Sequence, residues 1–239
     1  MKYGVIGDIH SNYDALTAVV KELQHECVDK ILCTGDIIGY ASEPIQCIDL
    51  VRELNCSTVA GNHEYAAIGK FPLGYFHADA RTAVLWTVQQ LSAEHMDYLK
   101  KLPLVEELNG ITIVHASLNR PEFFDYIITG ADAQRSFEIL KTPICFYGHT
   151  HVPVAFFLSK GAISVDRGHV FDVNNVDKAL INVGSVGQPR DWDVRASYAI
   201  YDTEKKVVHI RRVKYNIQDA VSKIYMARLP EINALRLMG

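Results

Sequence analysis

Five short polar clusters, each placed directly after an apolar stretch, constrain this chain more than any other feature. They are Gly7-Asp8-Ile9-His10, Gly35-Asp36, Gly61-Asn62-His63-Glu64, Val114-His115 and Gly148-His149-Thr150-His151. The stretches before them, such as Lys2 to Ile6, Lys30 to Cys33 and Ser57 to Val59, have the β-branched and apolar character of strands. Glycine in front of four of the five lets the chain turn sharply off a strand and brings backbone close to a bound ion or phosphate. In open α/β sheets the crevice at the carboxyl ends of the strands is where ligands bind. Asp8 and His10 are two residues apart, as are His149 and His151, and in an extended segment such pairs share a side.

The pattern between the clusters predicts an α/β chain. Leu16, Val19, Val20 and Leu23 recur at helical spacing behind the capping candidates Ser11 and Asn12. Further helices are expected from Ser42, with Pro44 in the first turn, to Leu54, from His77 to Leu91, after Ser92, and from Asp132 to Lys141. Asn109-Gly110 between Leu104–Glu107 and Ile111–His115 reads as a hairpin turn. Later strands are predicted at Ile144–Tyr147, Val152–Leu158, Ala162–Val165, Ala179–Val183, Tyr198–Tyr201 and Val207–Val213, so two sheets are expected. A last helix opens at Asn216. With no repeat or linker in 239 residues, and with clusters from Asp8 to His151 having to meet, one domain over residues 1–239 is expected.

Composition excludes several classes. At 49% hydrophobic and 22% charged the chain is not disordered or fibrous. The formal charge of −4 gives no bulk positive field for a nucleic-acid backbone, and a nuclease is disfavoured for the same reason. Residues 202–239 carry eight Lys/Arg against four Asp/Glu, a local surplus of +4 that reads as a solvated face more readily than as a patch for an anionic partner. Five scattered cysteines without a C-x-x-C pair, no signal-type N-terminal core and no membrane-length apolar run point to a cytoplasmic chain with reduced thiols.

Asp8, His10, Asp36, Asn62, His115, His149 and His151 make seven oxygen and nitrogen donors, too many for one tetrahedral zinc. The set suits two divalent ions sharing one carboxylate, each keeping a position open. Imidazole and carboxylate ligands favour manganese, iron, cobalt or zinc; manganese is the working expectation. His25, His77, His95, His169 and His209 lack the cluster context and are read as structural.

GDIHSN, GDIIGY, GNHE, VHAS and GHTH, in this order, resemble the calcineurin-like metallophosphoesterase superfamily over nearly the whole chain. The loop Asn182 to Asp191 and the segment Ala83-Val84-Leu85-Trp86-Thr87 resemble its compact prokaryotic, phosphodiesterase-type branch. The resemblance implies a four-layer αββα sandwich with two mixed sheets and the metals at the rim of the strand C-termini. It implies one metal held by Asp8, His10, Asp36 and His151, and another by Asp36, Asn62, His115 and His149, with Asp36 as the bridge. Two positions depart from the family pattern. The arginine of the GD-x-x-D-R-G motif, carried by protein phosphatases and symmetrical dinucleotide polyphosphatases, is absent after Asp36, and Val183 replaces a proline of the late loop.

The expected reaction is therefore hydrolysis of a small phosphodiester or phosphomonoester, a nucleotide among the candidates, by a metal-bridging hydroxide. Asp36 and His63 are the catalytic candidates, the second acting near the leaving oxygen and held by an acidic neighbour, Asp8 or Asp36. Asn62, His63 and Arg190 are the candidate phosphate contacts, although a salt bridge to Asp191 or Asp193 would also explain the arginine. Tyr65 to Phe76 reads equally as a lid or a packed loop. The alternative is a catalytically weak interaction scaffold of the same fold, which would be expected to lose ligands that this sequence retains. No membrane partner is expected, and homo-oligomerisation is left open.

Overall fold

The computed structural model describes residues 1–239. Its first half alternates β1 (Lys2–Ile6), α1 (Tyr13–His25), β2 (Lys30–Cys33), α2 (Pro44–Glu53) and β3 (Ser57–Thr58), followed by α3 (Asn62–Ala67), α4 (Ala78–Gln90) and α5 (Ala93–Lys101). A hairpin of β4 (Val105–Leu108) and β5 (Ile111–Val114) comes next, then α6 (Gly130–Ile139) and β6 (Ile144–Tyr147). Strands β7 (Val154–Ser159), β8 (Ala162–Asp166), β9 (Val170–Asp172), β10 (Lys178–Asn182), β11 (Ala196–Asp202) and β12 (Val207–Val213) precede α7 (Ile217–Met226) and α8 (Glu231–Met238). No helix is long and apolar enough to cross a membrane.

Two mixed six-stranded sheets result, ordered β3-β2-β1-β11-β12-β9 and β4-β5-β6-β10-β7-β8. Side-chain alternation explains the layering. Tyr3, Val5 and Leu32 of the first sheet meet Ile113, Ile144, Phe146 and Ile181 of the second in the core between them. Ile6, Cys33, Tyr198 and Ile200 face the other way, against α1 and α2. Cys145, Tyr147 and Leu180 turn from the inter-sheet core to Ala133 and Phe137 of α6. Helices thus cover both outer faces, the αββα sandwich. β1, β2 and β3 are mutually parallel, as are β5, β6 and β10, so each group delivers its C-terminal loops to one end.

Local structure departs from expectation at identifiable points. Asn12, not Ser11, caps α1, its Oδ1 accepting from the Ala15 N–H at 3.1 Å, while Ser11 is left-handed at φ 58°. Helix α2 begins at Pro44 rather than Ser42, and β3 is two residues long because Ala60 N–H leaves the sheet for the Pro103 carbonyl. Asn62 is the first residue of a short helix α3 not expected from the sequence, and β9 and α8 lie in stretches too short or weakly patterned to signal themselves. Asn109 and Gly110 both take positive φ, 48° and 78°, as a tight hairpin requires. The basic surplus after residue 202 is partly spent on internal ties. Lys223 reaches Asp14 at 2.8 Å and Glu43 at 3.0 Å, Arg212 pairs with Asp191, and Arg211 lies 4.0 Å from Glu26.

Candidate metal centre

The loops that leave β1, β2, β3, β5 and β6 converge at the rim where the two sheets meet. Asp8, His10, Asp36, His149 and His151 take left-handed backbone conformations, with φ of 49°, 51°, 52°, 69° and 61°. The expected extended spacing of Asp8 with His10 and of His149 with His151 is therefore corrected. The side chains converge because the loops coil, in a region of φ/ψ that aspartate and histidine tolerate better than most residues. Backbone bonds hold the coil: the N–H groups of Asp8, His10 and Ser11 donate to the carbonyls of Gly35, Asp36 and Ile37 at 2.9, 3.0 and 2.8 Å. The coil also splits the second histidine pair, sending His151 to one cluster and His149 to another.

Around the first cluster, His151 Nε2 lies 3.4 Å from Asp8 Oδ1 and 3.0 Å from His10 Nε2, and His10 Nε2 lies 3.7 Å from Asp36 Oδ2. Around the second, His115 Nε2 lies 3.2 Å from Asp36 Oδ2, 3.1 Å from Asn62 Oδ1 and 3.2 Å from His149 Nδ1. Asp36 Oδ2 thus faces both, while its Oδ1 accepts the His63 backbone N–H at 2.9 Å. All seven residues named from the sequence are buried and meet here.

The donor set fits cations on its own chemistry. Nδ1 of His10, His151 and His115 each donates to a backbone carbonyl, of Ile38, Gln188 and Thr34, at 3.1, 2.6 and 2.9 Å. That fixes a hydrogen on Nδ1 and points each Nε2 inward, the orientation a metal-binding imidazole needs. Nε2 of His10 and of His151 then face one another with no proton between them, an arrangement that a positive ion between Asp8, His10 and His151 relieves. His115 behaves differently. Burial would lower its pKa, but Asp36, by charge and hydrogen bond, and Asp8 raise it to about 9. Burial pushes Asp8 up to about 7 despite His115 beside it. Asp36, which burial alone would also raise, is held well below the usual carboxylate range by His115, His63 and His10.

Two residues of the GNHE segment behave in ways the sequence did not indicate. Glu64, fully buried, accepts the backbone N–H groups of Asp36 and Gly61 on Oε2, both at 2.8 Å, and of Ile38 on Oε1 at 3.1 Å. It ties the loops after β2 and β3 together; its place in the third position of α3, where capping-box glutamates sit, was the available signal. His63 is not held by an acidic neighbour. Its Nδ1 has no hydrogen-bond partner, and the ring is wedged among His10, Tyr40 and Phe76 at centroid distances of 4.8, 4.8 and 5.0 Å. Burial lowers its pKa to about 4, so it is neutral near pH 7.

Arg190 forms no ion pair with its acidic neighbours. Asp191 pairs with Arg212 and Asp193 with Arg195, which leaves the Arg190 guanidinium over the Tyr40 ring at 5.7 Å, bonded to Tyr40 Oη at 3.2 Å and Gln188 Oε1 at 3.0 Å. Its charge lowers the proton affinity of Asp8, His10, His149 and His151, which places its field at the centre. Tyr40 is itself held from α8: buried Asn233 donates to the Tyr40 carbonyl at 3.1 Å. Asn233→Ala is expected to cost about 1 kcal/mol and to lower Tm by about 2–4 °C, read by calorimetry; an unchanged Tm would show that this bond does not anchor the Tyr40 loop.

Comparison with known proteins supports the same reading. Residues 1–206 match the calcineurin-like phosphoesterase superfamily domain. The chain is 39% identical to the uncharacterised protein MJ0912 of Methanocaldococcus jannaschii over 95% of its own length and 93% of that protein's. The crystal structure of a metallophosphoesterase from Sphaerobacter thermophilus, 41% identical, superposes with a TM-score of 0.87 over 100% of this chain and 98% of that one. A symmetrical bis(5′-nucleosyl)-tetraphosphatase of Actinobacillus succinogenes is 26% identical over 48% of this chain and 43% of its own.

Proposed function

Because the chain belongs to the calcineurin-like phosphoesterase superfamily, we propose that it is a metal-dependent phosphoesterase with a dinuclear site, acting on a small phosphodiester or phosphomonoester. The observation that carries this is the inward convergence of imidazole nitrogens and carboxylates on both sides of Asp36 Oδ2. Asp8, His10, Asp36 and His151 would hold one cation, and Asp36, Asn62, His115 and His149 the other. Manganese is the proposed metal, with iron, zinc and cobalt as alternatives. When bound, such a pair supplies Lewis acidity, lowering the pKa of a water towards about 7 and offsetting phosphoryl charge.

The chain's own residues do the rest. Asp36 is held in register through Oδ1 by the His63 N–H, so Oδ2 stays between the two sets. Asn62 offers Oδ1 inward and keeps its amide hydrogens for a phosphate oxygen. His63, neutral and wedged between rings, presents a hydrogen-bond donor towards the leaving oxygen without having to lose a proton first. Arg190, pinned by Tyr40 and Gln188 and free of carboxylates, offers its remaining N–H groups to the phosphate. It would supply, from a different loop, the guanidinium that the missing GD-x-x-D-R-G arginine does not. Since ligands come from both sheets, the whole chain is proposed to act as one domain.

The direct test is turnover of aryl phosphodiesters and monoesters by manganese-loaded protein. Two bound ions with no turnover across a broad phosphoester panel would instead favour the scaffold reading. A second expectation follows from the proton affinities. At pH 7 the metal-free protein keeps a proton on His115, whose pKa is about 9, and partly on Asp8, at about 7. Cations need both bare, so loading releases protons and apparent affinity rises with pH from about 6 to 9. Calorimetric titration in two buffers of different ionisation enthalpy should give different heats; equal heats would show that neither His115 nor Asp8 gives up a proton on loading.

A further inference from the structure

A cavity of about 510 Å³ opens beside the metal centre, within the ~300–1,000 Å³ range of small-molecule sites. Two loops wall it: the stretch after α3 supplies Phe71, Tyr75 and Phe76, and the stretch after β5 supplies Phe123, Phe124 and Tyr126. Phe71 meets Phe76 and Phe124 edge to face at 5.9 and 5.2 Å and stacks on Tyr75 at 5.3 Å, which makes one wall rigid. The floor is the centre itself, because Asn62 and His149 line the cavity and Tyr126 stacks on the His149 imidazole at 4.2 Å. Two further properties narrow the occupant. Tyr75 is 75% exposed and Phe123 and Tyr126 are each 50% exposed, an aromatic cluster of the kind that marks a binding surface. No lysine or arginine lines the cavity and Asp125 does, so it disfavours a second phosphate and suits an uncharged planar group with N–H donors.

We propose that this cleft is the subsite for the base of a nucleoside phosphoester whose phosphate lies at the metal centre, a substrate class that rests on the phosphoesterase reading above. Aromatic walls hold a base by its π face, which every base has, so discrimination among bases is weak. The segment Tyr65 to Phe76, whose role the sequence left open between lid and packed loop, then serves as a stacking wall.

The test has two independent arms. Adenosine, which has no phosphate, should bind the metal-free protein, giving saturation-transfer NMR contacts that Tyr75→Ala weakens; Tyr75 is exposed enough to be replaced without disturbing the fold. In the metal-loaded protein, Tyr75→Ala or Phe71→Ala should raise KM about tenfold for adenosine 5′-phosphate or its methyl diester. Ribose 5-phosphate and its methyl diester should be unaffected. Turnover of ribose and adenosine esters with equal KM, unmoved by either variant and with no adenosine contact, overturns the subsite and leaves the phosphoesterase reading standing. Adenosine binding that is sensitive to Tyr75→Ala, in a protein that turns over no ester, supports the subsite while the phosphoesterase reading fails.

Discussion

Asp36→Asn is expected to abolish phosphoester hydrolysis, lowering kcat/KM by roughly a thousandfold or more. The substitution keeps the acceptor that takes the His63 N–H at 2.9 Å, so the loop keeps its shape. It removes the charge from the one carboxylate oxygen that faces both His10, at 3.7 Å, and His115, at 3.2 Å. Without that charge, His115 loses the largest influence that raises its pKa, leaving burial, which lowers it, opposed by Asp8 and the Thr34 carbonyl, so its pKa should fall. Metal analysis should fall from two ions per chain to one or fewer. A variant that kept two ions and turned over within tenfold of the parent would sink the bridging role.

Gly187→Ala is expected to destabilise the protein by about 3 kcal/mol, through overpacking rather than through chemistry. A Cβ there would stand 1.8 Å from the Ile9 carbonyl oxygen and 2.6 Å from its carbon, atoms of backbone that cannot rotate aside. The glycine belongs to a clamp on the loop after β1. Val186 and Gly187 donate their N–H groups to the carbonyls of Gly7 and Asp8 at 3.0 and 2.9 Å, and Ser185 Oγ donates to the Asp8 carbonyl at 2.7 Å. Asn12 Nδ2 closes the ring on the Gly187 carbonyl at 2.9 Å. Displacing this clamp should lower Tm by about 6–12 °C and weaken cation binding at Asp8 and His10 together. A Tm within 2 °C of the parent would show that the two loops are less tightly seated than these distances imply.

The residues with metal-type side chains were legible in the sequence because chemistry limits the choice to a few residue types, and glycine in front of them marked the turns. What the sequence hid was conformation. Nothing in the letters of GDIH or GHTH reveals that Asp8, His10, His149 and His151 are left-handed; an extended reading brings Asp8 and His10 together by the wrong geometry and misses that His149 and His151 part to different clusters. Arg190 was ambiguous because its neighbours in the chain are acidic, yet Arg212 and Arg195, brought by β12 and the turn before β11, satisfy those acids instead. Glu64 looked like the tail of a ligand motif, whereas its work is on backbone N–H groups that only the folded loops bring within reach. The aromatic cleft depends on two loops about fifty residues apart in sequence, a juxtaposition no local pattern encodes. Sheet membership was similarly opaque: the strands were mostly located, but β11 entering beside β1 is a tertiary choice.

That choice has a consequence for how the molecule is made. β1 pairs on one side with β2, which follows closely, and on the other with β11, in a register that sets Lys2 against Asp202. During synthesis one edge of β1 therefore waits, unpaired, until about two hundred residues have been added, and such non-local closure is slow and exposed to aggregation. The Ser185–Gly187 clamp arrives in the same late stretch. The nascent chain should acquire its first βα units early, yet hold cations only after β11 has docked, so a chain truncated at residue 180, before the clamp and β11, should carry all seven donor residues and retain no metal.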